Sequence, residues 1–309
     1  MKKVLSKITA ITVMSALAVT AFAGCGGNSS SNSSETSGAA ATSAESAAFD
    51  TSETIAVVTR EEGSGTRDAF TELTGVLVKD GDTKTDNTAV SAVTINNTEA
   101  VITNVKDNAY AIGYISLGSL NDSVTAVKVN GIDATAENVK SGDYAISRPF
   151  NIAYKGELSE VAQDFVTFVL SADGQKVVTD EGYVTVSENE AYNGTKPSGK
   201  ISIAGSSSVS PVMEKLAEAY QSVNTNAKIE IQTSDSSAGM QSATEGTCDI
   251  GMASRELKDD EASTLTSQTI AKDGIAVIVN NKNTYTDLTM EQIKSIYTGE
   301  TENWSDLNK

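Results

Sequence analysis

Apolar positions along this chain follow two spacings that take turns. Residues 55–59 form a short apolar run that predicts a strand, and 66–73 predict a helix. Residues 92–95 and 98–105 repeat the pair, with Val101, Ile102 and Val105 on one helical face. Strands are expected at 110–115, 124–129 and 152–154, then a helix over 158–170, where Val161, Phe165, Phe168 and Val169 keep helical spacing. Further on, Ile201 and Ile203 alternate as in a strand, and Val209, Met213, Leu216 and Tyr220 form a helical stripe. Residues 229–231, 248–252 and 275–279 add strands, and 289–297 a last helix. This alternation predicts an α/β fold with mainly parallel sheets flanked by helices.

The N-terminal pattern is different. Lys2, Lys3 and Lys7 surround an apolar run, 8–23, that ends at Ala21-Phe22-Ala23-Gly24-Cys25. The run is too short for a membrane span followed by a fold. It resembles a bacterial lipoprotein signal, which implies cleavage after residue 24 and lipidation of Cys25, with Phe22 standing where such signals usually carry an aliphatic residue. Residues 26–49 are almost entirely Gly, Ser, Ala, Thr and Asn, so 25–53 is expected to be a lipidated, disordered linker. About 260 residues remain, enough for two lobes.

Charge and composition remove several functions. The chain has 23 basic and 41 acidic residues and a net charge of -18. Without the three signal lysines the charge is about -21, so nucleic acid and anionic lipid are poor partners, and any membrane contact is expected through the lipid alone. There is no histidine, which excludes Ser-His-Asp and Cys-His catalysis and most transition-metal sites; no cofactor or metal is expected. Cys248, in "GTCDIGMAS", reads as a buried small hydrophobe.

Parallel sheets bind ligands beyond the strand C-termini. Three turns there are rich in glycine or hydroxyls: "REEGSGTR" at 60–67, "GSSSVSP" at 205–211 and "SDSSAG" at 234–239. Each alone fits ordinary helix capping, but three together, one with an arginine, point to an oxyanion site. The first is no Walker A loop, because no G-K-[S/T] follows. Arg60 offers a planar fork to two oxygens, Gly65 lets backbone approach, and Ser64 and Thr66 add hydroxyls. Two readings fit Glu62 equally. It is a helix-start charge or ion-pair partner of Arg60 or Arg67, or it accepts a proton from the anion, which would favour phosphate over unprotonated sulfate.

"VTREEGSGTRDAF", "IAGSSSVSPVMEKLAEAYQ", "SDSSAGMQSATEGTCDIGMASREL" and "MEQIKSIYTGETENWSD" together resemble the phosphate-binding proteins of bacterial phosphate ABC importers, over nearly all of 54–309. The resemblance implies a two-lobed periplasmic-binding-protein fold of type II that closes on one inorganic phosphate and delivers it to the membrane permease subunits. It places Arg60, Ser64, Gly65 and Thr66 on one lobe, with Glu62 as proton acceptor, and Ser207, Ser208 and Ser236 on the other. Ser254 is assigned beside them, where some members carry an aspartate, which leaves open how a second proton is accepted. A non-enzymatic monomer is expected; a binder of sulfate or molybdate, a phosphate sensor and a phosphate-ester hydrolase are the alternatives.

Segment order departs from the family, in which "GSSSVSP" comes first and "REEGSGTR" follows "NWSD". A circular permutation would place Lys309 near Asp50 and make "KPSG" at 196–199 the join of the old ends. One lobe would then comprise 54–122 plus 272–309 and the other 123–271. The rival is a truncated tandem completed by a swapped dimer.

Overall fold

The computed structural model describes residues 48–81 and 83–308. The expected signal (1–24), the lipidation site Cys25, the linker up to residue 47 and Lys309 lie outside the described residues. In chain order, β1 (Ala56–Arg60) leads into α1 (Gly65–Leu73), the hairpin β2 (Leu77–Asp80) and β3 (Thr83–Asp86), β4 (Val93–Ile95), α2 (Thr98–Asp107) and β5 (Ala111–Ser116). Short β6 (Val124–Ala126), β7 (Lys128–Val129) and α3 (Ala136–Ser141) precede β8 (Ser147–Tyr154), α4 (Glu160–Leu170) and α5 (Ala172–Asp180). The opening plan then returns as β9 (Gly199–Ser206), α6 (Ser210–Val223), β10 (Ala227–Ser234), α7 (Ser236–Glu245) and β11 (Ile250–Ala253). One-turn α8 (Asp259–Ala262), β12 (Thr266–Asn280), β13 (Asp287–Leu288) and α9 (Met290–Thr298) follow.

Both halves share one strand plan. In the first, β1 lies between β4 and β5, parallel to both, and β5 pairs antiparallel with β12. In the second, β9 lies between β10 and β11, again parallel, and β11 pairs antiparallel with β8. β12 joins them: it pairs with β8 over 266–274 and with β5 over 275–279. Its second part, Ile275 to Val279, is wholly buried, as expected of a strand covered on both faces, whereas the edge strand β10 alternates and carries Lys228 and Glu230 outward.

Each half has its own core. Phe70, Ile112, Ile275, Ile293 and Trp304 belong to one cluster, and Phe150, Phe165, Ile203, Leu216 and Ile250 to another. The chain crosses between them at β8 and again near Asp273. The lobe boundary expected at 122/123 is therefore corrected: Val127, Val129, Val139, Tyr144 and Ile146 pack in the first core, and β6 pairs with β12. The reason is that 124–146 holds short apolar pieces that bury among β1, α2 and β5 as well as elements near the C-terminus. The split lobe is completed within one chain by residues from 274 onward.

A second correction concerns the linker's end. Phe49 packs against Tyr110, Trp304 and Tyr285, with ring centroids 5.3, 5.7 and 6.5 Å apart. Ser305 N–H donates to the Thr51 carbonyl (2.6 Å), and Thr54 bridges to Asn303. The segment between α5 and β9, which contains the proposed join, is pinned by the Asp164 carboxylate, which accepts from Tyr192 Oη (2.5 Å), Tyr220 Oη (2.8 Å) and Thr195 N–H (3.0 Å).

Candidate anion-binding site

The turns that follow β1 and β9 meet, joined by Arg60–Ser207 and Thr66–Ser208 hydrogen bonds. After β1 the chain turns through 61–64, and Ser64 caps α1, accepting from Arg67 N–H at 3.4 Å. Gly63 has φ +87°, the left-handed region, and a Cβ there would lie 2.7 Å from Asp235 Oδ1 of the other lobe. A Cβ on Gly65 would lie 2.4 Å from Ser236 Oγ and 2.9 Å from Ser254 Oγ. Glycine at these two positions is what lets the lobes touch.

Arg60 ends β1 and is 2% exposed. Its Nε and Nη2 each donate to the Glu61 carboxylate at 2.7 Å, and Nη2 reaches Ser207 Oγ across the cleft at 3.2 Å. Its backbone N–H donates to Tyr114 Oη (3.1 Å), and its carbonyl accepts from Arg67 Nη1 (2.7 Å). Arg67 is held in turn by Asp86, and Tyr114 stacks on Phe70 at 3.9 Å. Burial pushes the Tyr114 phenol above its ordinary value, so it serves as a neutral strut. Arg60 Nη1 is buried and has no hydrogen-bond partner among the described residues.

Hydroxyls surround this fork. Thr66 Oγ1 and Ser208 Oγ share a hydrogen bond across the lobes (2.9 Å), and Thr98 Oγ1 lies 3.4 Å from both Ser207 Oγ and Ser208 Oγ. Ser206 Oγ donates to Ser254 Oγ (2.9 Å), and Ser254 N–H donates to Ser236 Oγ (3.1 Å). All these side chains are buried. Thr66, Thr98 and Ser236 sit in the first turns of α1, α2 and α7, and Ser207 and Ser208 just precede α6. The hydroxyl cluster is thus drawn from the starts of four helices, whose positive dipole ends favour a negative charge nearby. With Arg60 offset by Glu61, the site can hold an anion by directed donors rather than by excess charge.

Of the residues expected from sequence, the structure brings together Arg60, Ser64, Gly65, Thr66, Ser207, Ser208, Ser236 and Ser254. Glu62 is the exception: it is exposed, and its carboxylate makes no hydrogen bond or ion pair among the described residues. Its neighbour Glu61 faces Arg60 instead. Thr98 and Ser206 were not singled out; Thr98 follows the capping Asn97 and reads as an ordinary helix start, and Ser206, inside the turn quoted at 205–211, is the last residue of β9.

A cavity of about 680 Å³ opens beside the clamp and shares Glu61, Thr98 and Ser207 with it. Glu99, Glu214 and Asp235 also line it, and among the described residues no Lys or Arg does. Charge therefore does not draw an anion into this mouth; the attraction lies at the clamp. Among the described residues no group of three or more His, Cys, Asp or Glu is placed to hold a metal ion, and no helix is long and apolar enough to cross a membrane.

A profile of the PBP superfamily domain matches residues 34–173 and 190–309. The phosphate-binding protein PstS 2 of Streptococcus agalactiae is 49% identical over 260 residues, covering 83% of this chain and 88% of that protein. A crystal structure of a phosphate-binding protein of a phosphate ABC transporter from Streptococcus pneumoniae TIGR4 matches with a TM-score of 0.67 at 48% identity, covering 82% of this chain and 100% of that one. The phosphate-binding protein PstS of Staphylococcus saprophyticus is 36% identical over 121 residues, 37% of this chain and 38% of that protein. Two α/β lobes that share crossing strands and face each other with oxyanion donors have the type II architecture of periplasmic binding proteins. The chain belongs to the PBP superfamily and, within it, to the phosphate-binding proteins of phosphate ABC transporters.

Proposed function

We propose that this protein binds one inorganic phosphate between its lobes, outside the cytoplasm, and hands it to the permease subunits of a phosphate ABC importer. The observation that carries this reading is Arg60 Nη1, a buried cationic donor without a partner among the described residues, set among hydroxyls and helix starts from both lobes. A buried donor left unmatched is costly, and an oxyanion bridging the lobes would satisfy it. Membership of the phosphate-binding family supports the same ligand.

Glu61, rather than Glu62, is the carboxylate suited to accept a proton from the ligand. Both of its oxygens face Arg60, and each keeps acceptor capacity beyond that pair. Monohydrogen phosphate can donate to it, whereas sulfate would meet an unrelieved negative charge. The protein works as a monomer without a cofactor and carries no catalytic step. It is tethered by lipid at Cys25. Its order is a circular permutation of the wider family: residues 49–54 lie against 303–305, and the staphylococcal relative aligns over little more than a third of each chain. Isothermal titration of the unlipidated chain with phosphate, sulfate and arsenate tests the proposal. One phosphate per monomer and no heat from sulfate are expected; equal binding of phosphate and sulfate would sink it.

A further inference from the structure

Arg60, Thr66, Ser208 and Ser254 are almost wholly buried, so an anion reaches or leaves them only when the lobes part. Parting breaks the contacts that span the cleft, including contacts that never touch the anion. One of these is built from charge. Arg255, next to Ser254 on the second lobe, is gripped from behind by Glu261, whose two oxygens accept from Nη1 (2.7 Å) and Nη2 (2.8 Å). This fixes the guanidinium with its Nε facing the first lobe. There Asp68 Oδ2, in the first turn of α1, lies 3.0 Å from Nε and 3.8 Å from Lys258 Nζ.

We propose that Asp68 entering the Arg255–Lys258 pair is a closure latch that sets how fast the bound anion is released. Arg255 is nearly buried, whereas Asp68 is 37% exposed, so the receptor is preset on one lobe and the bolt arrives on the other. The contact is tied to the clamp on both sides. Asp68 rides the same rigid helix turn as Gly65 and Thr66, and Arg255 follows Ser254 directly. Nearby, Ser237 N–H donates to the Gly63 carbonyl across the cleft (3.1 Å), which fixes the register in which the charges meet. The proposal rests on the phosphate reading for its ligand, but the latch is a property of lobe closure.

Asp68→Asn keeps the size of the side chain and removes the charge, and thermal unfolding of the phosphate-free chain checks that the fold is kept. Stopped-flow measurement of phosphate association and release is expected to show release about five- to tenfold faster, with association changed less than about threefold. Lys258→Ala should speed release in the parent chain and add nothing in the Asp68→Asn background. An unchanged release rate in Asp68→Asn overturns the latch, as does an equal loss of thermal stability with and without phosphate, which would mark a static brace. Spin labels, one on each lobe, give a readout that needs no phosphate affinity: Asp68→Asn should shift the interlobe distance distribution toward longer values. An unchanged distribution refutes the latch even if phosphate is not the ligand, whereas a shifted one without phosphate binding refutes only the functional reading.

Discussion

Replacing Gly65 by alanine adds one methyl group at the point where the lobes are closest. Its Cβ would sit 2.4 Å from Ser236 Oγ, and ordinary contact begins at 3.4 Å, so the turns must separate by about 1 Å. That displacement stretches the Thr66–Ser208 and Arg60–Ser207 hydrogen bonds, now 2.9 and 3.2 Å, out of range, along with the Gly63–Ser237 backbone bond. At about 1 kcal/mol per bond, two or three lost bonds weaken the closed state by about 2–3 kcal/mol. This corresponds to roughly 30- to 150-fold weaker phosphate binding. The first lobe itself should not suffer. Gly65 is the first residue of α1 and its φ is not positive, so alanine fits the local backbone and favours the helix by up to about 1 kcal/mol. The expected pattern is a large loss of affinity by titration calorimetry together with an unchanged or raised melting temperature without phosphate. Affinity within threefold of the parent would refute the argument that the clamp depends on backbone-close approach.

Three further outcomes follow from other parts of the structure. Burial pushes the Asp273 carboxyl up to about 6 from an ordinary 3.8, against the pull of Arg148 at 3.1 Å. Between those values the folded chain keeps a proton that the unfolded chain has lost, so this group's contribution falls as pH rises from about 4 to 6, by about 3 kcal/mol at most; urea midpoints across that window should lose this slope in Asp273→Asn, and an identical slope in both chains would contradict it. Phe49→Ala should lower stability by about 1–2 kcal/mol, read as a lower thermal midpoint, because the ring is only partly buried; no change would return residues 48–53 to the linker. Burial raises the Cys248 thiol, so a thiol reagent should leave Cys248 unmodified in the native chain and react with it once the chain is unfolded.

How far the sequence was legible depended on whether a signal was local. The stripes in α2, α4 and α6 placed those helices within a few residues, because one face of each meets a core. The first part of β12, "TSQTIAKDG", has no apolar run, so only its buried second part was visible. Serines at helix starts could be read as donors since capping and anion binding ask for the same chemistry. Glu61 and Glu62 could not be told apart. Where β1 gives way to the turn, one position decides whether a carboxylate faces the cleft or water, and composition is blind to it. Phe49 was hidden for a related reason: a single aromatic in a Ser/Ala tract says nothing of the groove formed by Tyr110, Tyr285 and Trp304.

β12 also imposes an order on assembly. The half containing Arg60 begins the described fold, yet its β5 has no antiparallel neighbour until 275–279 has been made, and its core lacks Ile293 and Trp304 until later still. The lobe between β8 and the first part of β12 can condense earlier, from a nearly unbroken stretch of chain. During synthesis the first strands made are thus the last to be sealed, and the apolar edge of β5 stays open meanwhile. Growth from the N-terminus makes the arginine-bearing lobe the stage most exposed to mispairing, and the final segment of the chain its safeguard.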